Sequence, residues 1–271
     1  MRRIPLNAPT FGEEEINAAI EVLRSTYVTM GKRCRQFEQA FADYTGMNEA
    51  IFVNSGSSAN LLAFFALANH AAPHLKNKRR FVSGSEVIVP AVSWSTTFWP
   101  IVQAGGVPVF VDSDPGTLQM KPDAMRAALS EKTAAVCPVH VLGNTAAMHE
   151  VLAFAEKNDL WVVEDTCEAL GARYDGKLAG TLGDIGTYSF FFSHHITTIE
   201  GGMVVTRHEE LGELLRCLRA HGWTRDLKNR QATEARYPQI DPEYLFINTG
   251  FNLRPTEINA AFGLIQLRKL D

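Results

Sequence analysis

Apolar positions along this chain follow two spacings that change over about every fifteen residues. Residues 12–24 carry Ile16, Ala19, Ile20 and Leu23 at three- and four-residue intervals, the period of a helix with one apolar stripe. A second helix is predicted over 35–44. The run Ala50-Ile51-Phe52-Val53 is too short for a helix and reads as a strand, passing through Asn54-Ser55-Gly56-Ser57-Ser58 into a helix over 59–69. Strand-like runs recur at 86–89, 107–111, 134–139, 160–163, 187–191 and 203–206, with helical stretches at 96–104, 121–129 and 146–157 between several of them. Strands alternating with helices imply an α/β architecture, a mostly parallel sheet covered on both faces. Ligands in such sheets gather where strands end and the following helices begin.

Composition narrows the classes. Of 271 residues, 46% are hydrophobic and 21% charged, an ordinary globular balance, and the formal net charge of -4 gives no polybasic face for nucleic acid. No run of 18 apolar residues suggests a membrane span, and Met1-Arg2-Arg3-Ile4-Pro5 lacks a signal-peptide core, so a cytoplasmic protein is expected. Cys34, Cys137, Cys167 and Cys217 are far apart in sequence. They form no C-x-x-C pair, so no metal site is expected and the thiols are read as reduced. An amphipathic helix predicted over 259–270 runs to Asp271 without a cap, which suggests a fragment of a longer chain.

Three segments carry chemistry. Ser55-Gly56-Ser57-Ser58-Ala59-Asn60 lies between strand and helix, where N–H groups and hydroxyls can hold an anion or simply cap the helix. In Val162-Val163-Glu164-Asp165-Thr166-Cys167-Glu168 an acidic residue ends a buried strand and needs a partner: a pyridinium nitrogen, a helix N-terminus or a metal. Residues 189–206 read as strand, loop, strand, with His194-His195 in the loop. Adjacent side chains diverge in extended backbone, so the pair is poorly placed to chelate one metal.

Taken in order, Ser55-Gly56-Ser57, Glu164-Asp165, Ser189-Phe190, Glu200-Gly201-Gly202 and Asn252-x-Arg254-Pro255-Thr256-Glu257 resemble the motifs of the DegT/DnrJ/EryC1/StrS sugar aminotransferases. The resemblance covers essentially the whole chain. It implies a pyridoxal-phosphate-dependent transferase fold of the aspartate aminotransferase type (type I), three αβα layers around a mixed, mostly parallel sheet. It also implies a homodimer and a small C-terminal domain that this chain lacks. On that basis residues 1–30 are an N-terminal arm and helix, 31–250 the large cofactor domain, and 251–271 the start of the connection onward.

The family's cofactor lysine falls at His194, counted forward from Ser189 or back from Glu200. Imidazole cannot form the covalent link that a primary amine makes. Histidine there, followed by His195, is similar to the branch that removes the 3-hydroxyl of GDP-linked 4-keto-6-deoxy-mannose on the way to colitose. Residues 90–97 (Pro-Ala-Val-Ser-Trp-Ser-Thr-Thr) and 219–225 (Arg-Ala-His-Gly-Trp-Thr-Arg) add to that likeness.

The resemblance implies pyridoxal/pyridoxamine 5'-phosphate as cofactor, L-glutamate as amine donor and a nucleotide-activated 4-keto-6-deoxy sugar as substrate. It assigns Gly56, Ser57 and Ser189 to the phosphate and Trp94 to the face of the ring. Asp165 falls to the ring nitrogen, Glu168 to the neighbourhood of the ring hydroxyl, and His194 to proton transfer. Asn252 is assigned to the partner subunit's cofactor, and His221 and Arg225 to substrate or cofactor across the same interface. A sister branch that works with an iron–sulfur cluster needs closely spaced cysteines after the histidine loop, where only Cys217 occurs. Two alternatives stay open: a sugar aminotransferase tolerant of the lost lysine, and a non-catalytic or truncated relative that binds cofactor.

Overall fold

The computed structural model describes residues 8–270. The first seven residues of the expected N-terminal arm, and Asp271, lie outside the described residues. Two helices open the chain, α1 (Glu13–Ser25) and α2 (Lys32–Thr45). Strand β1 (Glu49–Val53) leads into α3 (Gly56–Ala68), then β2 (Glu86–Pro90), α4 (Ser95–Gln103), β3 (Val107–Val111) and α5 (Pro122–Ala127). Next come β4 (Thr133–Val136), α6 (Met148–Lys157) and β5 (Trp161–Asp165), followed by a small hairpin, β6 (Arg173–Tyr174) and β7 (Lys177–Leu178). Strands β8 (Ile185–Ser189) and β9 (Gly202–Thr206) flank the histidine loop, and α7 (Glu209–Arg219), α8 (Arg230–Glu234) and α9 (Glu257–Arg268) complete the chain.

Seven strands form one sheet in the order β1-β9-β8-β5-β4-β2-β3. The pairs β2–β3, β2–β4, β4–β5 and β5–β8 are parallel, whereas β9 runs antiparallel to both β1 and β8. Six strands therefore point one way, and the ends of β1, β2, β5 and β8 share one edge. Two-residue alternation divides the strand side chains between the faces. Ile51, Val53, Val87, Val89, Val163 and Val204 join α3 and α7 in one core. On the other face Phe52, Tyr188, Phe190 and Met203 pack with Phe37 and Phe41 of α2, while Ile88, Val136 and Val162 meet Met148 and Val151 of α6. Centroid spacings of 4.9–6.2 Å among the Phe37, Phe41, Phe52, Tyr188 and Phe190 rings are favourable edge-on and tilted contacts. No helix among the described residues is long and apolar enough to cross a membrane.

Several elements differ from the sequence reading. The fourth strand ends at Val136 rather than 139, because Pro138 has no N–H to give the ladder; Val139 keeps one bridge to Asp165. The strand expected at 187–191 lies two residues earlier. Helix α1 forms as expected, but Ile16 and Leu23 of its stripe remain 39% and 56% exposed while Glu15 and Val22 are buried. Helix α9 is not amphipathic in the simple sense either. It packs against both α1 and α2, and buries the polar Gln266 along with Ala260, Ala261 and Phe262. Helix α7 has no counterpart in the reading, although Leu211, Leu214, Leu215 and Leu218 mark its buried face.

Candidate functional site

The common strand edge collects most of the expected residues. Ser55 caps α3, its hydroxyl accepting from the Ser58 N–H at 3.0 Å. Ala59 makes the first intrahelical bond, back to the Ser55 carbonyl, so the Gly56 and Ser57 N–H groups precede the ladder and are available to an anion. Gly56 lies directly on β8: a Cβ there would stand 2.5 Å from Ser189 Cβ and 3.0 Å from Cys167 Sγ. Gly202, paired with both Val53 and Ser189, meets the same crowding, since a Cβ on it would come within 2.3 Å of the Ser55 carbonyl oxygen. The two glycines thus allow the phosphate-type turn and the strand that ends in Ser189 to touch. Ser57 Oγ bonds Thr96 Oγ1 at 3.1 Å, linking this turn to α4.

Trp94 is the N-cap of α4 and is 71% exposed, an indole left open for stacking rather than committed to a core. Asp165 ends β5 and is 4% exposed. Its Oδ2 accepts from Asn60 Nδ2 at 2.9 Å and Thr97 Oγ1 at 2.7 Å, and its Oδ1 accepts from the Cys167 N–H at 3.2 Å. Alternation turns Glu164 the opposite way, into a buried cage. There it accepts from His140 Nε2 (2.9 Å) and the N–H groups of Gly180 (2.9 Å), Leu182 (2.8 Å) and Gly183 (2.5 Å). The Ala146 N–H donates to His140 Nδ1 at 3.0 Å, so the His140 proton sits on Nε2. Of the two acidic neighbours, Glu164 is structural and Asp165 faces the cleft.

His194 is half-buried in the β8–β9 loop, its Nδ1 3.4 Å from the Ser189 carbonyl oxygen and its N–H bonded to the Phe191 carbonyl. Burial first, then the nearby His194, pull the His195 imidazole below its ordinary value, while Glu168 opposes them. Glu168 is exposed, and its Oε2 accepts the Leu142 N–H at 3.2 Å. The far side of the loop is held by α9: Asn259 Nδ2 donates to the carbonyls of Thr198 (2.7 Å) and Glu200 (3.0 Å), and Gln266 Oε1 accepts from the Thr197 N–H (3.1 Å).

Three expected residues lie close to one another, on segments that reach the start of the Ser55–Ser58 turn, where the Asn54 N–H bonds the Leu253 carbonyl at 3.0 Å. Ala220 bridges Asn252, and the His221 N–H bonds the Phe251 carbonyl at 2.7 Å. Arg225 lies 4.1 Å over the Trp223 ring, which stacks on Phe246. All three are exposed. A cavity of about 440 Å³ behind Arg225 is lined by Arg35, Glu38, Arg216 and Arg219, among others, and by none of Gly56, Trp94, Asp165, Ser189 or His194.

Sequence reading misses Asn60, Thr97, Asn259 and Gln266. The available signal was polarity: Asn60 interrupts the apolar run Ala59-Asn60-Leu61-Leu62-Ala63, and a buried amide needs partners. Among the described residues no group of three His, Cys, Asp or Glu side chains could hold a metal ion.

The cleft fits pyridoxal phosphate on its own terms: open N–H groups at a helix start for an anion, a free indole face, and a buried carboxylate whose Oδ1 is held only by Cys167 and can face a ring nitrogen. Comparison with known proteins agrees. The chain is 44% identical to a GDP-4-keto-6-deoxy-D-mannose 3-dehydratase of Yersinia pseudotuberculosis, over all of this chain and 69% of that one. The structure of E. coli GDP-4-keto-6-deoxy-D-mannose-3-dehydratase with bound hydrated PLP superposes with a TM-score of 0.89 at 40% identity, over all of this chain and 68% of that one. One of GDP-4-keto-6-deoxymannose-3-dehydratase with a trapped PLP-glutamate geminal diamine gives 0.89 at 39%, covering 99% and 68%. The fold is the type I pyridoxal-phosphate transferase fold. With a family model matching residues 9–271, the chain belongs to the DegT/DnrJ/EryC1/StrS aminotransferase family.

Proposed function

We propose that this protein is a 3-dehydratase of a GDP-linked 4-keto-6-deoxy sugar, using pyridoxal/pyridoxamine phosphate and L-glutamate in the making of deoxysugars for surface polysaccharide. The observation that carries the reading is an imidazole, His194, on the β8–β9 loop beside Ser189, where the family places lysine. In the net reaction the sugar exchanges its C3 hydroxyl for hydrogen, while L-glutamate becomes 2-oxoglutarate and ammonia. Glutamate supplies the two electrons, so no other reductant is required.

When bound, pyridoxal phosphate supplies the electron sink. The protein's own groups do the rest. Gly56 and Ser57 N–H groups and the Ser189 hydroxyl hold the phosphate, and Trp94 covers one face of the ring. Asp165 keeps the ring nitrogen protonated. With Nδ1–H donating to the Ser189 carbonyl, His194 presents Nε2 as a general base. Lacking a primary amine, it cannot recapture the cofactor, which favours loss of the hydroxyl over amino transfer.

Residues 31–250 form the cofactor domain of a cytoplasmic homodimer in this reading. His221, Arg225 and Asn252 serve the partner's site. Their exposure, and their grouping through the Ala220–Asn252 bridge, support that division.

The test incubates the loaded protein with L-glutamate and GDP-4-keto-6-deoxy-mannose, following 2-oxoglutarate, ammonia and the sugar product. Stoichiometric ammonia with a 3-deoxy sugar is expected, and its loss in His194→Ala. An amino sugar without ammonia would establish a transaminase instead.

A further inference from the structure

We infer that Asn60 and Thr97 are positioning residues that commit one oxygen of Asp165, Oδ1, to the cofactor's ring nitrogen. The inference rests on the cofactor reading above. Oδ2 receives Asn60 Nδ2 at 2.9 Å and Thr97 Oγ1 at 2.7 Å, which occupies both of its lone pairs. Oδ1 takes the Cys167 N–H at 3.2 Å, and the Cys167 thiol, a weak donor that a ring N–H can displace, also bonds the carboxylate. Asn60 and Thr97 are 1% and 0% exposed, so they bond Asp165 away from bulk water.

Asn60 is itself pinned. Its Oδ1 accepts from Thr187 Oγ1 at 2.6 Å, and its second N–H reaches the Thr96 carbonyl at 3.1 Å. Flipping the amide would set its oxygen against both the Asp165 carboxylate and that carbonyl. Asn60 lies one turn beyond Gly56 in α3, and Thr97 three residues beyond Trp94 at the start of α4. One carboxylate is thereby tied to the helix that offers N–H groups to the phosphate and to the helix that carries the stacking indole. Phosphate, ring face and ring nitrogen then share a single frame.

Without these donors the carboxylate can turn about its terminal torsion, which has a broad, two-fold profile. Oδ1 then meets the ring nitrogen for only part of the time, and that nitrogen gives up its proton at lower pH.

Pyridoxal phosphate labelled with nitrogen-15 in the ring, bound to the chain and to Thr97→Val, Thr97→Ser and Asn60→Leu, reports this directly. The ring-nitrogen shift is followed against pH, and affinity by absorbance titration. Thr97→Val and Asn60→Leu should each lower the titration midpoint by about one unit and weaken binding about ten-fold, the scale of one hydrogen bond to a charged group. Thr97→Ser, which keeps the hydroxyl, should restore both. Unchanged midpoints and affinities in the Val and Leu variants, with the parent chain loaded and its ring protonated, would overturn the inference alone. A parent chain that takes up no cofactor, or holds it with an unprotonated ring, overturns the cofactor reading and the inference together.

Discussion

Replacing Gly56 with alanine tests the contact on which the cleft is built. The added Cβ would lie 2.5 Å from Ser189 Cβ, 2.9 Å from Ser189 Oγ and 3.0 Å from Cys167 Sγ. Carbon atoms pack comfortably at about 3.5–4.0 Å, so α3 and β8 must part by roughly 1 Å. Ser189 cannot rotate its Cβ away, and its strand is held on both sides by pairing to β5 and β9. Overpacking of this kind costs about 1–3 kcal/mol. For a chain of this size that corresponds to a melting temperature lower by about 2–5 °C. Gly46→Ala is the control: φ there is +70° and no atom lies within 4 Å, so its loss, about 1 kcal/mol, comes from backbone strain alone. Thermal unfolding followed by circular dichroism, with pyridoxal phosphate titrations on both variants, separates the effects. Gly46→Ala should keep the affinity of the parent while Gly56→Ala loses at least ten-fold, roughly 1.4 kcal/mol. A Gly56→Ala protein that melts with the parent and binds cofactor as tightly would refute the proposed close contact.

Other outcomes follow from the same geometry. Glu164→Gln sets an NH2 against two of the four donors, and urea unfolding should show a loss of about 2–6 kcal/mol, at about 1–3 kcal/mol for each buried donor left unpaired. Burial raises the Glu15 carboxyl, but the Lys269 ammonium and donors from Gly12 and Gln266 outweigh it and hold it at about 2 against an ordinary 4.5. A carboxyl lowered on folding stabilises the native state above its unfolded value, and the gain fades as pH falls through the folded one. The docking of α1 on α9 should therefore weaken between pH 4.5 and 2, a trend that acid unfolding of Glu15→Gln should lack. Proton NMR should find His195 titrating below its ordinary 6.5, and lower still in Glu168→Gln; a rise in that variant would contradict their placement.

How much of this was legible beforehand depended on distance along the chain. Local signals worked: apolar runs gave the strands, and the Ser55-Gly56 and Glu164-Asp165 segments lay where strand ends meet helix starts. Pairing partners were less visible. Nothing near Asn60 indicates that Asp165, 105 residues later, will accept its amide proton. Nor does the spacing of Ile16 and Leu23 reveal that α1 docks through Glu15 instead, since the ammonium it meets belongs to Lys269. The leucines of α7 carry a helical period, but the neighbouring charges Glu209, Glu210, Arg216 and Arg219 dilute that apolar signal in the sequence. The early end of β4 is legible in the sequence, since Pro138 has no N–H for the ladder.

The grip of α9 on the histidine loop has a consequence for the order of assembly. Gln266 joins Thr197, Thr10 and Glu15, segments separated from it by 69 to 256 positions. A ribosome releases His194 long before it releases the glutamine that fixes the loop behind it. During synthesis the imidazole therefore travels on an untethered loop, and its aim is set only when α9, about seventy residues later, docks against the first two helices.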